Sequence, residues 1–237
     1  MSKKLALLTL MSTLVLSAAS AQAQNILSNG SLDAASVSSQ ALPTPNDWVV
    51  DATRTITGVY NDGASSEGFA GPPPTPDTNP GDLGLFFKPF TGNVADGPAT
   101  VNMVQDNPAV AGLIYTLTGW AGAEANYLSA GSQFAVEFLN GGGAVIGGNV
   151  NPLATLLVPN GQAFNYKQYS VSALAPVGTA LVRARASMIG GQGNPAGGGQ
   201  AFVVDDFTLT SSNIPEPSTL ALLGLGLLGV GAIRRRK

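Results

Sequence analysis

Val182-Arg183-Ala184-Arg185-Ala186-Ser187-Met188 places an apolar side chain at every second position and a polar or charged one between. Successive side chains of a β-strand point to opposite faces, so this run offers one face to a core and the other to water. Phe134-Ala135-Val136-Glu137-Phe138 keeps the same period, with Glu137 expected on the outer face. Working outward, short β-like runs recur at Val101 to Val104, Ile114 to Trp120, Ala144 to Ile146, Tyr166 to Val171 and Phe202 to Leu209. Asn140-Gly141, Asn160-Gly161 and Ala175-Pro176 supply turn signals between them. Nothing in the body reads as a long amphipathic helix. The pattern predicts an all-β body, an antiparallel sandwich of jelly-roll type. Two stretches read as loops: Asn61 to Asp82, which contains Pro72-Pro73-Pro74, and the glycine-rich Gly190 to Gln200 before the last strand.

Composition narrows the chemistry. The 237 residues contain neither cysteine nor histidine. Disulfides and thiol chemistry are excluded, as are imidazole bases, Ser–His–Asp and Cys–His arrangements and the commonest zinc ligand. Near the N-terminus, Lys3 and Lys4, an apolar stretch from Leu5 to Leu16 and Ala21-Gln22-Ala23 follow the order of a secretory signal. Residues 1–23 are therefore expected to be a signal helix, cleaved between Ala23 and Gln24. Residues 24–212 would form one β-sandwich domain, large enough to bury most of its apolar surface. Without the signal and the last 25 residues, about 5 basic residues face 13 acidic ones, a net charge near −8. Such a body disfavours nucleic acid and anionic lipid and is compatible with calcium.

Residues 213–237 hold three parts in sequence: Pro215-Glu216-Pro217, an apolar run from Leu220 to Ile233, and Arg234-Arg235-Arg236-Lys237. A helix of about 14 residues rises about 21 Å, short of a hydrocarbon core of about 30 Å. Ser218, Thr219 and snorkelling arginines bring it close to spanning. The basic cluster should stay cytoplasmic, and the prolines should hold the preceding stretch extended on the outer side. Gly224 to Gly229 matches the G-x-G-x-x-G spacing of dinucleotide sites. No βαβ unit follows it, and no acidic residue lies about twenty positions on, so that reading is discarded. The three-part order resembles the PEP-CTERM sorting tail of bacterial surface proteins, handled by membrane-embedded exosortases. With the export signal, the resemblance implies a Gram-negative cell, a transient inner-membrane tether through a short hydrophobic helix, and cleavage near Pro-Glu-Pro. Delivery would be to the cell surface or extracellular matrix.

A second resemblance rests on the body. The opening Asn25-Ile26-Leu27-Ser28-Asn29-Gly30-Ser31-Leu32-Asp33, then Trp48, and the closing Phe202-Val203-Val204-Asp205-Asp206-Phe207 are similar to the ends of galactose-binding-like β-sandwiches. Carbohydrate-binding modules use that fold. Interior stretches at Tyr115 to Trp120 and Ala175 to Ala180 are similar too. The chain departs from the pattern at Leu32 and Asp33, where the modules usually carry Phe and Glu, and in its proline-rich loop. The resemblance implies a structural calcium near the pairing of first and last strands, with Asp33 and one of Asp205 or Asp206 as carboxylate ligands. Simple alternation puts Asp205 on the side of Val203, Phe207 and Leu209, and Asp206 on the side of Phe202 and Val204.

For a glycan, the useful chemistry is an aromatic ring flanked by polar groups. Trp120, at an expected strand end, and Tyr127 in the loop after it are the candidates, while Trp48 resembles a core tryptophan. A glycoside hydrolase needs two carboxylates at a set separation. Glu124 and Glu137 would be that pair, but Glu124 has no visible partner. The sequence thus predicts an exported, non-enzymatic surface or matrix protein sorted by an exosortase, binding exopolysaccharide weakly. A purely structural or adhesive role in a biofilm matrix is the alternative, and a glycosidase the remote one.

Overall fold

The computed structural model describes residues 24–37, 41–54, 63–68, 83–88, 98–124, 126–129, 131–153, 166–195 and 199–213. The expected signal, the proline triplet, Asn160-Gly161 and the tail from residue 214 onward lie outside the described residues. No helix among the described residues is long and apolar enough to cross a membrane.

Strands dominate. In chain order they are β1 (Ala35–Ser36), β2 (Thr44–Pro45), β3 (Val49–Val50), β4 (Gly63–Gly68), β5 (Leu83–Lys88), β6 (Ala99–Pro108) and β7 (Leu113–Ala123). Then follow β8 (Leu128–Ser129), β9 (Gln133–Leu139), β10 (Val145–Pro152), β11 (Lys167–Leu174), β12 (Leu181–Gln192) and β13 (Phe202–Asn213). Besides the two-stranded pair β1-β2, one large sheet has the order β10-β9-β12-β6-β3 with β8 beside β12, and the other has the order β11-β7-β13-β5-β4. Strand pairs within both sheets are antiparallel. From β5 to β6 to β7, and again from β10 through β11 and β12 to β13, the chain passes from one sheet to the other at each step. That weave joins two sheets into a sandwich of jelly-roll type.

The alternating runs behave as read. Val182, Ala184, Ala186 and Met188 of β12 and Phe134, Val136 and Phe138 of β9 enter one apolar cluster between the sheets. The five-stranded sheet answers with Leu85 and Phe87 of β5, Tyr115 and Leu117 of β7, and Phe202, Val204, Phe207 and Leu209 of β13. Phe207 is the centre of an aromatic group, 5.1 Å from Phe134 and 5.5 Å from Trp48 between ring centroids. Room for it comes from Gly119 on the neighbouring strand, where a Cβ would sit 2.5 Å from the Phe207 ring.

Three readings change. Gly63–Gly68 is a strand, although it falls inside the stretch expected to be a loop. Its Gly-Ala-Ser-Ser-Glu-Gly sequence has little strand preference; pairing along its whole length with β5 imposes the extended form. β12 continues to Gln192 and so takes the first residues of the expected glycine-rich loop. Most consequential is β13, whose pairing with β7 slips between Asp205 and Thr208. This bulge advances the alternation by one residue, so Val203 and Asp205 face away from the core, while Phe207 and Leu209 still point inward. Asp206 is the bulged residue, exposed and at φ 50°.

The outer edge of β11 is covered rather than open. Asn149 and Asn151 of β10 donate side-chain amides to the carbonyls of Ser172 and Ser170, at 3.0 and 2.9 Å. These bonds tie the two sheets together and occupy carbonyls that would invite another strand.

Candidate functional site

Trp120 lies within β7, three residues before its end, rather than at a strand terminus. Because Tyr115 and Leu117 point inward, Thr116, Thr118 and Trp120 point out. Its indole packs against a small apolar cluster of Phe86, Tyr166, Ala201 and Val203 on the outer face of the five-stranded sheet. The Tyr166 ring reaches that position over Gly122, where a Cβ would lie 2.7 Å from the ring. Trp120 itself remains half-buried. Across β11, Gln168 stands opposite Trp120, Ser170 opposite Thr118 and Ser172 opposite Thr116. The last pair is hydrogen-bonded, 2.8 Å between Thr116 Oγ1 and Ser172 Oγ. The face is therefore an aromatic ring followed by a double row of hydroxyls. An indole can stack on the C–H face of a pyranose, and hydroxyls both donate and accept toward a polyol.

Tyr127 does not join it. The side chain is only 4% exposed, its ring stacks 6.1 Å from Phe202, and its hydroxyl lies 2.7 Å from Ser132 Oγ. The loop carrying Tyr127 turns inward, because an aromatic ring gains more from the core than from water. The expected Trp120–Tyr127 pair is thus not brought together: Trp120 lies on the outer face beside the β11 hydroxyls, and Tyr127 lies in the core. Trp48 is a core residue, donating its indole N–H to the Asn29 carbonyl at 3.0 Å.

The opening segment clasps the β13 bulge. Phe207 N donates to the Gly30 carbonyl at 2.7 Å, while Asn25 donates to the Phe207 carbonyl and accepts from Leu209 N. Glycine is required at position 30, since a Cβ would stand 2.3 Å from the Phe207 carbonyl oxygen. Asn29 and Leu32 take positive φ to form this turn. Asp33 follows it and accepts from Leu83 N at 3.1 Å, at the start of β5. Leu83 lies two residues before Leu85, which pairs with Val204, so Asp33 is brought beside the bulge region. Asp205 stands opposite Trp120, 1% exposed, and accepts from Asp206 N at 2.7 Å. Among the described residues no group of three or more His, Cys, Asp or Glu is assembled for a metal.

The glycosidase pair is separated by the fold. Glu124 follows β7 and accepts from Ala201 N at 2.6 Å, fastening the segment that enters β13. Glu137 is on the outer face of the other sheet, where Arg185 donates to it at 2.7 and 3.0 Å. That face carries a ladder the sequence did not single out. Arg185 also donates to Ser187, Ser187 to Asn102, and Asn102 to Asp51, at 2.6 Å each. Beside it, Arg183 makes a bidentate pair with Asp106 at 2.6 and 2.8 Å. The hydrogen bond from Arg183 to Asp106 outweighs desolvation and holds the guanidinium pKa above its usual value. The alternation at 183, 185 and 187 pointed to an outer face; the partners on β6 and β9 depend on register between distant strands.

Residues 213–237 match the family model described as the PEP-CTERM protein-sorting motif. The chain carries a PEP-CTERM sorting motif. Such a motif marks an exported, exosortase-sorted protein of the cell surface. No curated protein sequence matches the chain. Among solved structures, the enzymatically active domain of bacteriophage CBA120 tailspike protein 4 is similar at 13% identity and TM-score 0.49. The match covers 79% of this chain and 21% of that one. TmCBM61 in complex with beta-1,4-galactotriose is similar at 16% identity and TM-score 0.43, covering 80% and 99%. A CBM22-1 xylan-binding domain from Paenibacillus barcinonensis Xyn10C is similar at 11% identity and TM-score 0.42, covering 81% and 97%.

One buried tyrosine yields a pH prediction. Tyr169 packs edge-on to Phe134, and its hydroxyl has no partner among the described residues. Burial pushes its pKa above the ordinary 10.0. The folded state therefore holds the phenolic proton more tightly than the unfolded chain. This contribution to stability is complete below pH 10 and is lost as the pH rises beyond it. Tyr169→Phe should be neutral or stabilising near pH 7, since it removes an unsatisfied polar group. It should also flatten the alkaline loss of stability in denaturant melts recorded across pH 8 to 12.

Proposed function

We propose that this is a non-catalytic surface or matrix module, exported through the inner membrane of a Gram-negative cell. In this reading its tail tethers it transiently and is cleaved near Pro215-Glu216-Pro217 by an exosortase-type protease. The body then binds exopolysaccharide weakly through the outer face of the five-stranded sheet. The observation that carries the binding site is the outward Trp120, backed by an apolar cluster and continued by the hydroxyl rows of β7 and β11. Supporting a non-catalytic role, histidine and cysteine are absent, and Glu124 and Glu137 each hold a structural partner on different sheets.

Tryptophan fluorescence tests this directly, because the chain has two tryptophans and only Trp120 lies outside the core. Titration with the host's exopolysaccharide should shift the emission, and the shift should vanish in Trp120→Phe. An unshifted spectrum at saturating polysaccharide would instead favour a purely structural or adhesive matrix role.

Calcium belongs to the same proposal, with Asp33 and Asp205 as carboxylate ligands. The burial of Asp205 and the two apposed turns support it. Excess chelator is expected to lower the melting temperature, because an ion bound only by the folded state stabilises it. An unchanged melting temperature would count against a resident ion.

A further inference from the structure

We infer that the pole of the sandwich from which the tail departs rests on the lipid surface while the tail is inserted. This builds on the reading of residues 220–233 as a membrane segment. Three turns meet at that pole: β6–β7, β9–β10 and β11–β12. Backbone bonds lock them together, from Gly112 N to Ala175 O, Ala109 N to Ala180 O and Ala180 N to Leu139 O, at 2.8 to 3.0 Å. β13 ends at the same level, with Asn213 opposite Leu113.

The pole is apolar where turn tips are ordinarily polar. Val110, Val145, Ile146, Leu174 and Val177 are all exposed there, Val177 to 95%. Ile146 and Pro176 close around the β11–β12 turn: Cβ atoms at Gly178 and Gly147 would lie 3.8 and 3.1 Å from them. Among the described residues, the other exposed large apolar side chains, Val37, Val49, Leu128 and Val150, are scattered elsewhere. Single exposed apolar residues are ordinary, whereas a cluster marks a contact surface.

Charge points the same way. Residues 107–115, 138–151 and 173–182 include no Asp, Glu, Lys or Arg, in a body whose net charge is near −8. An acidic surface is repelled by anionic headgroups, and this pole presents none of that repulsion. Chain length then selects the occupant. Six residues separate Asn213 from Leu220, and no conformation can stretch that step beyond about 25 Å. An inserted tail therefore confines the bare pole to the bilayer interface. Trp120 lies six residues along β7 from Ile114, about 20 Å away along the strand. Its ring would be held clear of the membrane, toward the polysaccharide.

The absence of native cysteine allows single reporters. Val177→Cys, Leu128→Cys at the opposite pole and Leu225→Cys in the tail would each carry an environment-sensitive fluorophore. The tail-bearing chain would be reconstituted with vesicles of phosphatidylethanolamine and phosphatidylglycerol. The expected result is a blue shift and loss of iodide quenching at positions 225 and 177, with position 128 unchanged. Shielding at 225 with full quenching at 177 would overturn the membrane pole and leave the inserted tail standing. Full quenching at both would overturn the two together. Shielding at 177 without vesicles, growing with protein concentration, would assign the pole to a second copy of the chain and overturn the lipid contact.

Discussion

Phe207→Ala is expected to lower the unfolding free energy by about 3–5 kcal/mol, the range for emptying a buried phenylalanine site. The ring lies between Trp48 and Phe134 and over Gly119, and is 2% exposed. Its backbone also binds the opening segment through Gly30 and Asn25. The cavity would therefore loosen the clasp as well as the core. Gly119 cannot refill the space without a second substitution, and a Gly119→Ala, Phe207→Leu pair should recover part of the loss. Equilibrium urea denaturation measures both. A change under 1 kcal/mol for Phe207→Ala would mean that the two sheets are not joined through this residue.

Replacing Pro215, Glu216 and Pro217 together with alanine is expected to change processing from complete to none. Prolines remove donors and disfavour helix in the residue before them, so the native stretch should be extended where a protease grips backbone. Three alanines would remove that constraint, because alanine has the highest helix propensity and keeps its backbone donor. Intact-mass measurement on material released from cells should find the native chain without Leu220 to Lys237. The variant should stay with the membrane fraction at full mass. Released native protein that still contained Leu220 to Lys237 would refute cleavage near Pro-Glu-Pro.

The fold was legible wherever one strand face is wet. β9 and β12 have charged outer faces, so the period of two shows in their residues. β5 escaped notice for the opposite reason. Leu85 and Phe87 point into the core while Phe86 enters the outer cluster with Tyr166 and Val203, and two buried faces erase the alternation. β4 has no pattern of its own and takes its form from β5.

The site was half legible. The outward direction of Trp120 follows from Tyr115 and Leu117 on the opposite side of its strand. The parting of Asp205 from Phe207 and Leu209 could not be foreseen, because one bulged residue at Asp206 exchanges every face downstream of it. Tyr127 was misplaced because a loop residue has no period to show which way it points. The ladder from Glu137 to Asp51 crosses several strands, and only the register reveals it.

The central claim is that the Trp120 face binds polysaccharide, and affinity measured with one substitution tests it most directly. Residues 24–213, purified without signal or tail, would be titrated against the host's exopolysaccharide by calorimetry, with Trp120→Ala and Tyr127→Phe in parallel. Removing a central aromatic contact should weaken binding about tenfold or more. Tyr127→Phe should leave affinity unchanged, and melting curves would establish that each variant is folded. Equal affinity in native and Trp120→Ala protein, or no binding by either, would contradict the account.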